Sequence, residues 1–431
     1  MAKLLERWHE PMHGLDRGGV QVLSMTKVEN WFSTAPRALD LYLVAESGHC
    51  LPFDLPYELL YEIFKQTLPE VEDNRHLESD PLLYAGYSPR PAHPAALQAE
   101  CLRILTICKA LNRIIEEFLY TNVYLRSNPI CLDRFVSSAA CPPSYTSASG
   151  HPRGEYTRRI RMERLERVNS ITTLNLIRLK EVCPNLTALS MLGRLGLSGS
   201  PGPDIWLKGV TSLEWGDIEL NSIVHRYLSG GVDTLQSLSL RGACGGTFNG
   251  TLELNRLTKL SMVFYSAPLP KFSELRTPIL EWLRLDIQYR AKDGALSEFL
   301  TNNGRNLTFL CIDNVRNFYS TGKLVETFAA CPRLETYMEN LVINTSDLDP
   351  TRISSKHNRL RRLVVVINPS SPGRWLVPYS HIFTRDSFPA LQSLILLISN
   401  RLGYILGKNI FAVQQDIQKM FPHLNVETKM Y

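Results

Sequence analysis

The sequence predicts an α/β protein, with a small three-helix domain followed by an irregular, horseshoe-shaped solenoid of strand-and-helix repeats. Three observations lead to this prediction. Amphipathic helical patterns occur between residues 51 and 125, a leucine pattern recurs every 22 to 31 residues in the second half, and 431 residues allow two or three folded units. We expect an N-terminal extension over residues 1–50, a helical domain over 51–125, a connecting segment over 126–154 and a repeat domain over 155–431.

The composition excludes several classes of protein. Hydrophobic residues make up 44% and charged residues 21%, which is ordinary for a globular chain, and 47 basic against 42 acidic residues leave a net charge of +5. Because this excess is small and is not gathered in a block, neither nucleic acid nor a membrane is expected as a partner. The densest basic stretch, residues 158–167, alternates with apolar residues and predicts an amphipathic element.

The location is expected to be intracellular, in the cytoplasm, the nucleus or both. The N-terminus lacks the apolar run of a secretory signal, and the longest aliphatic runs, residues 363–367 and 394–398, have five residues. The nine cysteines contain no CxxC pair, so we expect reduced thiols and no zinc site.

The helical domain begins with a pattern whose apolar residues share one helical face. Pro56 suits the first position of this helix and Pro69 ends it. The following residues, 69–95, are acidic and then proline-rich, which predicts an exposed loop. Two more amphipathic helices are predicted over residues 97–108 and 111–119, and the Ser/Pro/Gly-rich residues 137–154 predict a linker or long loop.

The repeat domain is predicted from an LxxLxL pattern. Such a unit buries its leucines only by stacking on its neighbours, which is typical of leucine-rich-repeat solenoids. The intervening residues 294–301 and 323–330 have helical spacing and predict an outer helical layer. Clear copies are Leu186/Leu189/Met191, Leu235/Leu238/Leu240, Leu257/Leu260/Met262, Leu280/Leu283/Leu285, Leu307/Leu310/Ile312, Leu360/Leu363/Val365 and Leu391/Leu394/Leu396. Weaker copies are Ile171/Leu174/Leu176 and those at Leu213 and Leu334, and an irregular α/β domain without true repeats stays open.

Two groups of residues in the helical domain carry a resemblance to a known family. The first group spells a leucine-proline opening followed by a helix, and the second spells a cysteine-basic pair with a leucine-tyrosine-x-x-valine close. They are Leu55, Pro56, Glu58, Leu59, Ile63 and Phe64, and then Cys108, Lys109, Leu119, Tyr120 and Val123. Together they resemble an F-box of the kind common in large fungal families, where it precedes a degenerate leucine-rich-repeat region.

The resemblance implies a substrate-recognition subunit of a Skp/cullin/F-box ubiquitin ligase. The F-box would bind a Skp-type adaptor, and through it a cullin/RING core, while the repeat domain would hold a protein substrate. The subunit would be monomeric apart from that complex and would need no cofactor. The residues implied for adaptor binding are Leu55, Pro56, Glu58, Leu59, Ile63, Phe64, Leu105, Cys108, Lys109, Leu111, Ile114 and Phe118.

Other interpretations stay open. The long loop over residues 69–95, and Leu111 where the family often has tryptophan, allow a repeat-based interaction scaffold whose F-box no longer engages a ligase. The same helices would also suit a plain three-helix core. For the repeat domain, polar positions between the leucines are the candidates for substrate binding, with exposed strand positions as the simpler interpretation. They are Arg241, Asp286, Asp313 and Asn314.

Catalytic and metal-binding patterns are missing from the sequence. No GxSxG, HExxH or GxGxxG motif occurs, and the string at residues 403–409 is too short for a phosphate-binding loop. His9 and His13 have helical spacing, but no further ligand type stands beside them in a metal-binding arrangement. We therefore expect no catalytic residues and no metal, and an enzyme with an unrecognised site is the least favoured alternative.

Overall fold

The structure is a computed structural model. It describes residues 98, 101–102, 112–126, 129–141, 152–165, 173–193, 207–216, 222–242, 250–264, 274–287, 295–313, 321–341, 356–367, 380–398 and 410–430. The chain divides into two compact units, one of residues 1–68 and 97–119 and the other of residues 69–96 and 120–431. The predicted domain boundaries at residues 50, 125 and 154 stay a prediction.

The first unit is described only over its last part. Residues 98, 101 and 102 are helical, with Cys101 fully buried and Leu102 49% exposed, and the rest of the second predicted helix lies outside the described residues. Helix α1, Asn112–Thr121, covers most of the third helix that the sequence predicts over residues 111–119. The predicted helix that starts at Pro56, the extension over residues 1–50 and the loop over residues 69–95 lie outside the described residues.

The second unit is built on parallel strands. The strands are β1 Asn122–Arg126, β2 Arg159–Leu165, β3 Ala188–Gly193, β4 Ser212–Trp215, β5 Ser237–Gly242, β6 Leu252–Glu253, β7 Lys259–Phe264, β8 Leu275–Arg276, β9 Trp282–Ile287, β10 Phe309–Asp313, β11 Thr336–Leu341, β12 Arg362–Ile367, β13 Ser393–Ile398 and β14 Asn425–Met430. The short strands β6 and β8 pair with each other, and the other twelve form one sheet in chain order. Successive strands that pair in parallel require a crossover at every step.

Helices supply many of those crossovers. They are α2 Pro129–Ala139, α3 Thr173–Val182, α4 Ser222–Ser229, α5 Ala295–Asn303, α6 Thr321–Ala330 and α7 Ile410–Met420, with 3-10 turns at Arg153–Tyr156 and Gly304–Asn306. Helices α5 and α6 confirm the helical layer predicted over residues 294–301 and 323–330. The unit is therefore a mixed α/β fold with a long parallel sheet, consistent with a repeat solenoid.

The seven clear leucine copies lie where the pattern places them. In each copy the first residue follows a turn, and the fourth and sixth lie on a strand and point into the core. All of these side chains are at most 5% exposed. The weaker copies at Leu213 and Leu334 also belong to strands, β4 and β11.

A ladder of backbone hydrogen bonds joins the repeats where the strands begin. The carbonyl of Gln236, for example, accepts the N–H groups of Thr258 and Lys259 at 2.9 and 3.1 Å. Four threonines at this position also donate their hydroxyls to the preceding carbonyl. They are Thr187, Thr211, Thr258 and Thr308, at 3.1 to 3.2 Å. This threonine ladder joins neighbouring repeats.

Two sequence predictions are corrected by the described elements. The weak copy Ile171/Leu174/Leu176 does not form a strand, because its last two residues lie on helix α3, where Leu174 is 53% exposed. The predicted connecting segment over residues 126–154 contains helix α2, whose Leu132 and Phe135 belong to the hydrophobic core. Residues 129–139 are therefore part of the repeat unit.

Three strands of the described twelve-stranded sheet lack the leucine pattern and were not predicted as repeats. Strands β1 and β2 bury Val123, Leu125, Ile160 and Met162, and β14 buries Val426. The register pairs these side chains with the inward leucines of their neighbours, so they fill the same positions of the repeat. The amphipathic element predicted over residues 158–167 corresponds to β2.

The last strand is capped by the helix before it. Gln414 donates to the carbonyl of Val426 at 2.8 Å, and Gln418 accepts the N–H of Val426 at 3.3 Å. Gln418 also donates to the carbonyl of Leu424 at 2.8 Å. Two glutamine side chains thus supply the bonds that a further strand would make to this residue.

Candidate functional site

The candidate site is the outward face of the twelve-stranded sheet, defined as the face opposite the inward leucines. The strand register places one residue of each strand in a central row. In order from β1 to β14 the row is Tyr124, Arg161, Ser190, Glu214, Ser239, Ser261, Arg284, Cys311, Met338, Val364, Ile395 and Glu427. The row is polar as far as β9 and apolar from β10 to β13.

A hydrogen-bonded carboxylate lies in the polar half. Ser190 donates its hydroxyl to Glu214 Oε2 at 2.6 Å, and the Arg241 guanidinium lies 2.8 Å from Glu214 Oε1. The Glu214 side chain is 12% exposed and that of Arg241 is 46% exposed. Adjacent strands β3, β4 and β5 therefore contribute one residue each to a polar cluster whose arginine reaches solvent.

The register brings the predicted substrate-binding residues together. Arg241 pairs with Val263, Val263 with Asp286, and Asp286 with Asp313, so the three predicted residues lie in one row near the ends of strands β5 to β10. Sequence reasoning named these residues without predicting that they are neighbours. Asn314 lies outside the described residues.

Asp286 differs from the exposed strand position that the sequence favours. It is only 8% exposed, and its carboxylate lies 4.0 Å from the Arg284 guanidinium on the same strand. Asp286 is therefore a partly enclosed charge, whereas Arg241 is openly accessible. A ligand on this face would meet Arg241 before Asp286.

The apolar half of the outward face was missed by the sequence prediction. Trp282 and Phe309 stack with ring centroids 5.1 Å apart, and this outward cluster is at most 8% exposed. Its other members are Cys311, Met338, Val364, Val366, Ile395 and Leu397. Strands β12 and β13 are thus buried on both faces, which explains the aliphatic runs at residues 363–367 and 394–398. Those runs were the signal that could have revealed the cluster.

Two of the residues implied for adaptor binding fall on a described helix. Ile114 and Phe118 lie on α1, and Phe118 is partly exposed. The others lie outside the described residues. They are Leu55, Pro56, Glu58, Leu59, Ile63, Phe64, Leu105, Cys108, Lys109 and Leu111.

The buried thiols of the repeat unit are core groups. Burial raises the pKa of the Cys183 thiol to about 11 and that of Cys331 to about 12. Both thiols are therefore protonated at neutral pH and are poor nucleophiles. Among the described residues, no group of three His, Cys, Asp or Glu side chains is arranged to hold a metal ion.

Comparison with known proteins gives a distant structural neighbour. No family model and no curated protein matches the chain. Among solved structures, the chain is similar to a TLR13–ssRNA13 complex at 14% identity, with a TM-score of 0.26. The match covers 67% of this chain and 49% of the other chain, so this protein spans about half the length of its neighbour. Within the described part of the chain, no helix is long and apolar enough to cross a membrane.

Proposed function

We propose that this protein is the substrate-recognition subunit of a Skp/cullin/F-box ubiquitin ligase. The observation that carries the proposal is the F-box-like spelling, from Leu55 to Phe64 and from Cys108 to Val123, which comes directly before a parallel repeat unit. The polar half of the sheet face, where Arg241 is accessible, would receive a protein substrate. The adaptor would join the subunit to a cullin/RING core in the cytoplasm or nucleus.

The proposal assigns binding to this chain and chemistry to its partners. The apolar side chains of the F-box would be buried against the adaptor, and each large one would contribute about 1.5 to 3 kcal/mol. A few such anchors dominate a typical interface. On the repeat unit, the exposed Arg241 and the row of Asp286 and Asp313 would contact the substrate. Ubiquitin transfer would be carried out by the other subunits.

The experiment compares two leucine-proline pairs in the full-length protein. Leu55→Ala with Pro56→Ala removes the start of the F-box helix, whereas Leu51→Ala with Pro52→Ala changes the same residue types four positions earlier. Co-purification with the Skp adaptor should be lost in the first variant and retained in the second. Absence of adaptor binding in the unchanged protein would refute the proposal.

The alternative function is an interaction scaffold without a ligase. The loop over residues 69–95 and Leu111 favour it, because both depart from the compact motif that engages the adaptor. A scaffold would leave the abundance of its partners unchanged when the proteasome is blocked. Recovery of the protein in a cullin complex would exclude this alternative.

A further inference from the structure

Basic residues gather at the edge of the sheet where strands β7 and β9 to β12 begin. The first residues of these strands pair in one row, namely Lys259, Trp282, Phe309, Thr336 and Arg362. The residues three positions earlier therefore form a row of turns. They are Arg256, Ile279, Asn306, Arg333 and Arg359.

Side-chain hydrogen bonds show that these turns stack on one another. Asn306 donates to the carbonyl of Pro278 in the preceding turn at 2.8 Å. Arg333, in the following turn, donates to Asn306 Oδ1 at 3.0 Å. Residues that are 27 or 28 positions apart in the sequence are thus direct neighbours, and the edge is a continuous surface.

The excess of basic over acidic residues is large at this edge compared with that of the whole chain. Its seven basic residues, which we name the arginine edge, are Arg256, Lys259, Arg305, Arg333, Arg359, Arg361 and Arg362. Only Glu281 and Glu335 oppose them at the corresponding positions. Seven basic and two acidic residues leave a net charge of +5 at this edge, which equals the formal net charge of the whole chain. All six arginines are exposed.

The arginines keep their charge available to a partner. None of the six arginines of the arginine edge forms a salt bridge with another described residue. The nearby pair of Arg276 with Glu253 is separate from it and is largely exposed. Several uncompensated charges of one sign on a surface raise the local potential and attract a ligand of opposite charge.

We propose that the arginine edge binds an extended acidic segment of a protein partner, which crosses the starts of the strands. Neighbouring strands lie about 4.8 Å apart, so five of them span about 19 Å, and an extended chain places same-face side chains about 6.8 Å apart. About three carboxylates would therefore fit along the edge. Guanidinium groups match carboxylates in paired hydrogen bonds, which suits arginine here better than lysine.

A polypeptide fits this edge better than a single-stranded nucleic acid does. Proteins that bind single strands combine basic residues with exposed aromatic rings on which the bases stack. The aromatic residues at this edge, Trp282 and Phe309, are each only 8% exposed and stack on each other. The proposal concerns the repeat unit and does not depend on adaptor binding.

The test uses the full-length protein and a labelled peptide of about twelve residues that alternates glutamate and serine. Fluorescence anisotropy should show binding that weakens as salt rises. The variant Arg305→Glu, Arg359→Glu, Arg361→Glu should lose roughly tenfold or more in affinity, because repulsion replaces attraction at three positions. The control variant Arg134→Glu, Arg178→Glu, Arg226→Glu makes the same charge change at exposed positions on helices α2, α3 and α4 and should lose less than about threefold.

Three results would overturn the proposal. They are no measurable binding of the peptide by the unchanged protein, equal losses in the two triple variants, and tighter binding of a single-stranded oligonucleotide with the same number of negative charges. Thermal unfolding of both triple variants checks that they are folded. If the edge variant unfolds, the glutamine substitutions Arg305→Gln, Arg359→Gln and Arg361→Gln should still weaken binding, and unchanged affinity in that variant would count against the proposal.

Discussion

His357 shows how one polar side chain takes the place of a backbone turn. Before most strands, a turn carbonyl accepts the N–H of the first leucine, as Cys331 does for Leu334 at 3.1 Å. Before β12, His357 Nδ1 accepts the N–H of Leu360 at 3.1 Å, and Nε2 lies 3.0 Å from the carbonyl of Cys331. Nδ1 must accept and Nε2 must donate, so the geometry selects the neutral Nε2–H tautomer. The buried imidazole thereby joins two repeats.

Asn303 and Glu339 are two further buried polar residues that form hydrogen bonds within the repeat unit. Asn303 accepts the N–H of Thr277 at 2.6 Å and donates to the carbonyls of Leu275 and Phe299 at 3.1 and 3.0 Å. Glu339, which stands at an inward position where other strands carry aliphatic residues, accepts the hydroxyl of Tyr337 at 2.9 Å. The LxxLxL pattern does not predict these residues, because their burial depends on partners that are specific to each repeat.

The raised pKa of the Cys331 thiol predicts how the free energy of unfolding depends on pH above 9. Burial raises the pKa of its thiol from 9.0 to about 12, so between these values the unfolded chain releases a proton that the folded chain keeps. The free energy of unfolding therefore falls as pH rises through this window, by at most about 1.4 kcal/mol per pH unit for one thiol. Below pH 9 both states are protonated, and the thiol adds no pH dependence.

Urea unfolding of Cys331→Ala at several pH values measures this contribution. The variant should be less stable at neutral pH, because the methyl group leaves a small cavity, but its stability should fall less steeply above pH 9 than that of the unchanged protein. Cys141→Ala, at an exposed position, should leave the slope unchanged. Parallel pH curves for the unchanged protein and Cys331→Ala would contradict the prediction.

At the scale of the element, the sequence predicted the positions of the strands more accurately than those of the elements beside them. The LxxLxL copies identified seven strands because two inward side chains per strand are a local requirement of burial. The same spacing misassigned Leu174 and Leu176, since helix α3 buries Leu176 and Leu179 at helical spacing and leaves Leu174 exposed. A short apolar pattern without its preceding turn cannot distinguish the two structures.

Two glutamines of helix α7 are predicted to protect the edge of the last strand, β14, from pairing with other chains. Gln414→Ala with Gln418→Ala removes the side-chain bonds to Val426, each worth about 0.5 to 1.5 kcal/mol, and opens the edge of β14 to other chains. We expect a lower midpoint of thermal unfolding and concentration-dependent association in analytical ultracentrifugation.

Gln415→Ala is the matched control, because Gln415 is exposed on the same helix. It should change neither the unfolding midpoint nor the sedimentation. If the double variant remains as stable and as monodisperse as this control, the two glutamines do not protect the edge.

At the scale of the whole molecule, the repeat unit begins earlier than the sequence suggests. One hydrophobic cluster runs from Val123 on β1 to Val426 on β14 and includes helix α2. Repeat proteins are stabilised by contacts between neighbouring repeats, so the terminal repeats depend on what covers them. Helix α2 and strand β1 are the first cover that the structure describes.

Leu132→Ala with Phe135→Ala tests this boundary in the full-length protein. A connecting segment would tolerate both changes, whereas a first repeat should lose at least about 3 kcal/mol, because both side chains leave cavities in the core. The midpoint of urea unfolding, followed by circular dichroism, measures the loss. Arg134→Ala with Ser137→Ala, at exposed positions of the same helix, should unfold like the unchanged protein.

In the candidate site, too, some features depend on residues that are close in the sequence and others on residues that are distant in it. Arg241, Asp286 and Asp313 were predicted as outward polar residues, because they follow the leucine pattern by one position. Their assembly into one row depends on the register of β5, β7, β9 and β10, and the enclosure of Asp286 depends on its packing, which the pattern does not specify. The F-box-like residues Leu55 to Phe64 lie outside the described chain and stay a prediction.

The sequence by itself determined the α/β class, the seven leucine strands and helices α5 and α6, because each depends on the periodic burial of side chains that are close in the chain. Only the tertiary structure decided which distant residues became neighbours. It added strands that lack the leucine pattern, buried β12 and β13 on both faces, and gathered scattered arginines at one edge. The physical reason is that parallel stacking converts a separation of more than twenty residues into a spacing of about 4.8 Å, so the charge of a surface follows from the register.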